Sequence, residues 1–203
     1  MLAVLAGAVV LGVALLGPIM SNVEQAQYSV VESYSHIEIR DYAPMVVAQA
    51  QVAGNRAEAI RQGFKIIADY IFGNNTSAQK VVMTAPVTQQ ASEKIAMTAP
   101  VLQAGNEKSW VVRFVMPANY TLQTLPKPNN TAVELMQMPK RRYAVIRFSG
   151  TASEQRLKNN TDELKGFISE KKLNSISEPS YAFFNPPWTL PFLRSNEVMI
   201  EIE

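Results

Sequence analysis

His36-Ile-Glu-Ile-Arg40 and Val46-Val-Ala-Gln-Ala-Gln-Val52 alternate apolar with polar residues, and Gly54-Asn-Arg-Ala-Glu58 follows them directly. The alternation predicts two half-buried strands, since successive side chains on a strand point to opposite faces. Gly54 ends the second strand. Asn55 is a good helix N-cap, and Glu58 stands three residues on, where it completes a capping box. Ile60, Phe64, Ile67 and Ile71 then recur at helical spacing and predict a buried stripe. Gly73-Asn-Asn75 closes the helix with residues that tolerate left-handed backbone. The order is therefore strand, strand, glycine, capped helix.

The second half of the chain repeats that order. Val133–Met138 and Tyr143–Phe148 are predicted strands, Gly150 ends the second, and Thr151 with Glu154 forms another capping box. A helix is expected from there to about Lys172, with Leu157, Leu164, Phe167 and Ile168 on its apolar side. Setting Ile37 on Val133 also sets Glu38 on Glu134, Ile39 on Leu135, Gly54 on Gly150 and Glu58 on Glu154. This is an internal duplication of a ββαβ-type unit. Neither unit buries a sheet face alone, so the expected fold is α+β: a distorted antiparallel β-barrel of two pseudo-twofold repeats with two packed helices. Such an arrangement leaves a groove suited to a small molecule. Further strands are expected at Lys80–Thr88, Lys94–Gln103, Trp110–Met116, Tyr181–Phe184 and Glu197–Ile202.

Composition removes several functions. The charged fraction is 18% with a net charge of +2, and Lys and Arg are scattered. No basic stripe is present to neutralise phosphates, so nucleic acid is not an expected partner. There are no cysteines, which excludes disulfides, thiolate zinc sites and Cys nucleophiles. His36 is the sole histidine, and no nucleophile elbow, P-loop or dinucleotide fingerprint is present, so an enzyme is not expected. Glu38, Asp41 and Glu134 are read as solvent-facing strand residues rather than as a carboxylate pair.

Leu2 to Met20 carries no charge and is apolar all round. As a helix it would span roughly 28 Å, about one hydrocarbon core. No Lys or Arg precedes it and no small-x-small cleavage site follows, which favours a retained signal anchor over a cleaved signal peptide. The expected organisation is an anchor or signal at 1–20, a polar linker at 21–27 and a folded domain at 28–203. The protein is expected to be membrane-anchored or exported, on the periplasmic side if the source is bacterial.

The strongest motif is doubled. Val82-Met-Thr-Ala-Pro-Val87 is echoed by Ala96-Met-Thr-Ala-Pro-Val101. Each proline removes a ladder donor, so each copy is expected on an edge strand or at a bulge. Met83 and Met97 are core fillers or soft walls for an irregular ligand. These paired segments resemble those of bacterial SOUL haem-binding proteins. So do Ile37-Glu-Ile-Arg-Asp-Tyr42, Phe114-Val-Met-Pro117 with Tyr120, Leu125-Pro-Lys-Pro128, Phe148-Ser-Gly150, and Asn185-Pro-Pro-Trp-Thr-Leu-Pro-Phe-Leu-Arg194 with Asn196-Glu-Val198. The resemblance covers about residues 28–203. It implies the two-repeat barrel and a non-covalent ligand, haem b or another porphyrin, bound without catalysis. It also implies a shallow apolar groove beside the first helix with basic residues for the propionates, which here selects Arg61, Phe64 and Lys65. Met83, Met97 and Trp188 are the candidates for the groove wall, Trp188 alternatively capping the barrel end. His36 is the one candidate axial imidazole, but it precedes the first-strand motif and reads first as a surface strand residue. The same two-repeat fold serves as an effector-binding domain, so other amphipathic small molecules are the alternative ligands.

Removal of residues 1–21 is expected to abolish carbonate-resistant membrane association while the remainder stays folded. Fractionation of membranes checks this; a shortened chain that still pellets contradicts the anchor.

Overall fold

The structure, a computed structural model, describes residues 23–77, 92–105, 109–185 and 189–203. The expected anchor at Leu2–Met20, the expected strand at Lys80–Thr88, Met83 and Trp188 lie outside the described residues. Among the described residues, no helix is long and apolar enough to cross a membrane.

The chain divides into two compact units. Among the described residues, one unit comprises 23–24, 28–42 and 142–203, and the other comprises 25–27 and 43–141. In the first, the strands run in the order β1 (Tyr28–Tyr34), β2 (Ile37–Tyr42), β9 (Arg141–Ser149), β11 (Ser195–Ile202) and β10 (Ser180–Phe183). In the second the order is β5 (Val101–Gly105), β6 (Ser109–Val115), β3 (Met45–Ala53) and β8 (Glu134–Met138). A small separate ladder pairs β4 (Asn75–Thr76) with β7 (Lys127–Pro128). One helix packs on each sheet: α1 (Arg56–Ile71) in the second unit and α2 (Glu154–Glu170) in the first. The architecture is α+β with antiparallel ladders, as the duplication implies.

The duplication is visible in the topology. Setting Ile37 on Val133 carries β2 onto β8 within a residue, and β3 onto β9 end for end. In the first repeat β3 pairs with β6, and β6 with β5. In the second β9 pairs with β11, and β11 with β10. The first strand of each repeat is exchanged. β8 of the second repeat pairs with β3, from Met45↔Met138 to Gln49↔Glu134. β2 of the first repeat lies beside β9, where Arg147 N–H donates to His36 C=O at 3.1 Å.

Both helix starts follow from their caps. The Asn55 side chain accepts from Glu58 N–H at 3.1 Å and its amide donates to the Glu58 carboxylate at 2.8 Å. The second helix begins two residues later than the Thr151–Glu154 box implies. Ser153 is the cap, with its hydroxyl accepting from Arg156 N–H at 3.3 Å, and the helix ends at Glu170 rather than Lys172. Leu157, Leu164 and Ile168 are buried against Ile37, Ile39, Ala144, Ile146, Val198 and Ile200, with Phe167 at the border of the cluster.

The buried stripe of α1 matches the expected one at Ile67 and Ile71 and departs from it at Ile60 and Phe64. Ala59, Gly63, Ile67, Ala68, Tyr70 and Ile71 face inward, whereas Ile60 is half-buried and Phe64 is exposed. The cause is Gly63. A Cβ there would stand 2.6 Å from Val112 Cγ2 and 2.8 Å from Val112 Cβ. The helix thus rests its backbone on β6 through a residue without a side chain, and the small residues take the face that a pattern of large ones predicts.

One expected strand needs correction, and two segments outside the expected elements carry structure. Lys94–Gln103 is not one strand: residues 92–100 are irregular apart from a bridge between Ala99 and Gln25, and the strand begins at Val101. Pro100 has no N–H to give a ladder, and the neighbouring groups are bound elsewhere: Thr98 Oγ1 donates to Val115 C=O, and Ile95 N–H donates to Ile71 C=O at 2.9 Å. β1 was not foreseen because its residues are almost all exposed and show no alternation. The linker expected at 21–27 already makes structure at Gln25 and Ala26, whose N–H donates to Ala99 C=O at 3.1 Å.

Gly63→Ala is expected to lower stability by about 1–2 kcal/mol, because the overlap with Val112 outweighs the gain in helix propensity. Val112→Ala introduced with it should recover part of the loss. Denaturant unfolding checks this; a neutral or stabilising single variant contradicts the close approach.

Candidate ligand-binding site

The outer side of α1 carries the residues that the family resemblance selects. Phe64 is 37% exposed, and its ring meets Phe114 of β6 at 5.2 Å between centroids with the planes inclined at 58°. Val101 of β5 lies opposite Phe114 in the ladder. Val101 and Met97 are partly buried against the cluster that contains Phe114. The structure thus sets Phe64 and Val101 against Phe114, and Met97 against the cluster to which Phe114 belongs. Arg61 and Lys65 are exposed on the same helix, one turn apart and so about 6 Å between Cβ atoms. Among the described residues neither has an ion-pair partner. An apolar ring surface beside two uncommitted cations suits a flat amphipathic molecule with carboxylate groups.

The segment bearing Met97 is held by a buried asparagine that sequence reasoning missed. Asn75 donates to Tyr70 C=O and to Glu93 C=O, each at 2.8 Å, and its carbonyl accepts from Glu93 N–H at 2.9 Å. Tyr70 donates to Pro126 C=O at 2.8 Å. The Tyr120 hydroxyl donates to the Glu93 carboxylate, which holds its pKa up at about 12. Asn75 had been read only as a helix terminator. Its burial has no local signature, because its partner Glu93 stands 18 residues away.

His36 is exposed in the turn between β1 and β2 of the other unit. Its Nε2 is 2.7 Å from Glu163 Oε1 on α2. It is a surface residue tied to a helix of its own unit, whereas Arg61, Phe64, Lys65 and Met97 belong to the other unit. Among the described residues no group of three His, Asp or Glu side chains is arranged to hold a metal.

The carboxylates expected to face solvent do not behave alike. Glu134 accepts from the Gln49 amide at 2.8 Å, and Asp41 accepts twice from Arg142, at 2.6 and 3.0 Å. Glu38 instead accepts from Arg40 Nε at 2.6 Å, and Arg40 is only 2% exposed. Its Nη1 donates to Glu197 Oε1 at 3.0 Å and to the Tyr42 hydroxyl at 3.2 Å, and its guanidinium lies 4.3 Å from the centre of the Tyr28 ring. Burial alone would lower the Arg40 pKa; Glu197, Tyr42 and Glu38 more than offset it and keep the guanidinium charged. The alternation of Glu38, Arg40 and Tyr42 on one face was a legible signal, but its buried counter-charge is Glu197, 157 residues away.

Each repeat thus sets one helix on an antiparallel sheet, and α1 carries Phe64 between Arg61 and Lys65 on its exposed side. Residues 23–201 match the family described as SOUL heme-binding protein, and the chain belongs to that family. No curated protein is recognisably similar to it in sequence. In fold the chain is similar to the EcmrR C-terminal domain, with a TM-score of 0.61, 9% identity, and coverage of 87% of this chain and 98% of that one. It is also similar to EcmrR in a complex with DNA, at 0.56 and 12% identity, covering 82% of this chain but only 57% of that one. A hydrolase from Listeria innocua shares the fold at 0.52 and 12% identity, covering 85% of this chain and 94% of that one. At these identities the likeness is one of fold alone.

Proposed function

We propose that the protein is a non-catalytic carrier or buffer of haem or a related tetrapyrrole, held at the membrane by residues 1–20. The observation that carries the ligand is the α1 face: Phe64 over Phe114, flanked by two exposed cations without ion-pair partners among the described residues. A porphyrin ring offers a flat apolar surface to Phe64, Val101 and Met97, at about 25 cal/mol per Å² buried. Its propionates offer charge to Arg61 and Lys65. These contacts lie at the solvent edge, so each is worth less than a shielded charge-assisted hydrogen bond. Haem would supply redox-active iron, but the binding face is built to read the ring and its carboxylates. His36, engaged by Glu163, is not needed for that.

The second reading is a binding module for other amphipathic anions. It rests on the same feature, since an aromatic face with two cations does not require a tetrapyrrole.

Arg61→Ala with Lys65→Ala is expected to weaken haemin binding by roughly tenfold or more, equivalent to about 1.4 kcal/mol, with the fold intact. His36→Ala should leave affinity and the Soret maximum unchanged. Absorbance titration with circular dichroism as the folding control checks both. A silent double variant together with loss of binding in His36→Ala would place the ligand on the histidine instead.

A further inference from the structure

In the ladder of β3 with β8, Met45 stands directly opposite Met138, and Val47 opposite Met136. Residues opposite each other share a face of the sheet, as do residues two apart on one strand. Met45, Met136 and Met138 therefore lie on one face, where they pack with Val47, Val115 and Ala26. Val46, Ala48 and Ala50 of β3 point the other way, into the cluster beneath α1. That other side of β3 and β8 carries no methionine. Met138 is buried, whereas Met45 and Met136 are half-buried and keep part of their side chains in solvent.

The spacing lets the three sulfurs meet. Cβ atoms of opposite residues are about 5 Å apart and those of diagonal neighbours about 7 Å. Methionine is unbranched and adaptable, with its thioether near the free end. Met45 and Met138 thus face each other across the ladder, and Met136 reaches them diagonally.

The donor set decides which ion fits. A thioether is uncharged and soft, and soft sulfur donors select Cu(I), whereas oxygen donors suit Mg, Ca and Mn. Next along this face Gln49 accepts from Arg113 at 2.7 Å and donates to Glu134 at 2.8 Å. The charges beside the methionines therefore cancel, which favours a monovalent ion over a divalent one that needs a counter-charge. The chain has no cysteine to compete for a soft ion.

We propose that Met45, Met136 and Met138 form a thioether site for a soft monovalent metal ion, Cu(I), with Ag(I) as its redox-inert analogue. The site lies on the side of the sheet turned away from α1 and does not rest on the tetrapyrrole reading.

The test uses the full chain labelled at its methionine methyl groups and titrated with silver nitrate in chloride-free buffer. The methyl signals of Met45, Met136 and Met138, assigned through single Met→Leu variants, should shift together and saturate at one ion per chain. Those of Met97, Met116 and Met199 should stay in place, and zinc should move none of them. Competition against a Cu(I) chelator should show the same stoichiometry, lost in the variant with Met45→Leu, Met136→Leu and Met138→Leu. Leucine conserves volume, so that variant should keep its circular dichroism spectrum. Should it not fold, the wild-type methyl shifts decide alone. Shifts spread over all methionines, no shift at all, or undiminished Cu(I) binding by a folded triple variant overturns the proposal.

Discussion

Gly63 against Val112 is the contact on which the candidate site depends. A helix packed on a sheet through large side chains stands about 10 Å from it, and its boundary residues are then drawn into the core. Here the missing Cβ lets the backbone of α1 settle onto β6. Ala59 and Gly63 therefore occupy the inward face, and Phe64 moves out to the rim. The phenylalanine keeps one side on Phe114 and turns the other to solvent. An apolar side chain left in that state is offset by the packing of the small residues beneath it, and it becomes useful when a flat ligand covers it.

A second constraint is the exchange of strands between repeats. β3 is flanked by β6 of its own repeat and β8 of the other; β9 is flanked by β11 of its own and β2 of the other. Neither half of the chain can complete its sheet without the other half. The candidate site and the Arg40–Glu197 cluster accordingly depend on residues distant in sequence. Arg40 comes from the first repeat and Glu197 from the second, and they meet within one unit.

What the sequence revealed follows the range of each signal. Strands β2, β3, β8 and β9 were legible from the patterning of their apolar residues, although Arg40 and Tyr42 of β2, Val47 of β3 and Val145 of β9 are buried on the second face as well. Both helices were legible from periodicity and caps, and the repeat from the order of these elements. Partner choice was not, because alternation tells which face a strand buries and not which strand lies beside it. β1 was missed because an exposed edge strand has no buried face to pattern. The stripe of α1 was read rightly at Ile67 and Ile71 and wrongly at Ile60 and Phe64, because large residues were counted where Ala59 and Gly63 take the inward positions. The doubled Met-Thr-Ala-Pro-Val motif suggested two strands, yet the described copy is irregular, shaped by Pro100 and by bonds from Thr98 and Ile95. Arg61, Phe64 and Lys65 were selected by family resemblance together with helical spacing, and the structure adds that they share the exposed side of a helix whose other side is fixed by Gly63.

The proposed binding face would recognise a flat ring and its carboxylates, with no part for iron. Parallel titration of the full chain with haemin and with metal-free protoporphyrin tests that directly. Affinities within a few-fold of each other are the expected result, since both ligands present the same ring and the same two propionates. Binding of haemin alone, with a Soret band characteristic of axial ligation, would contradict it.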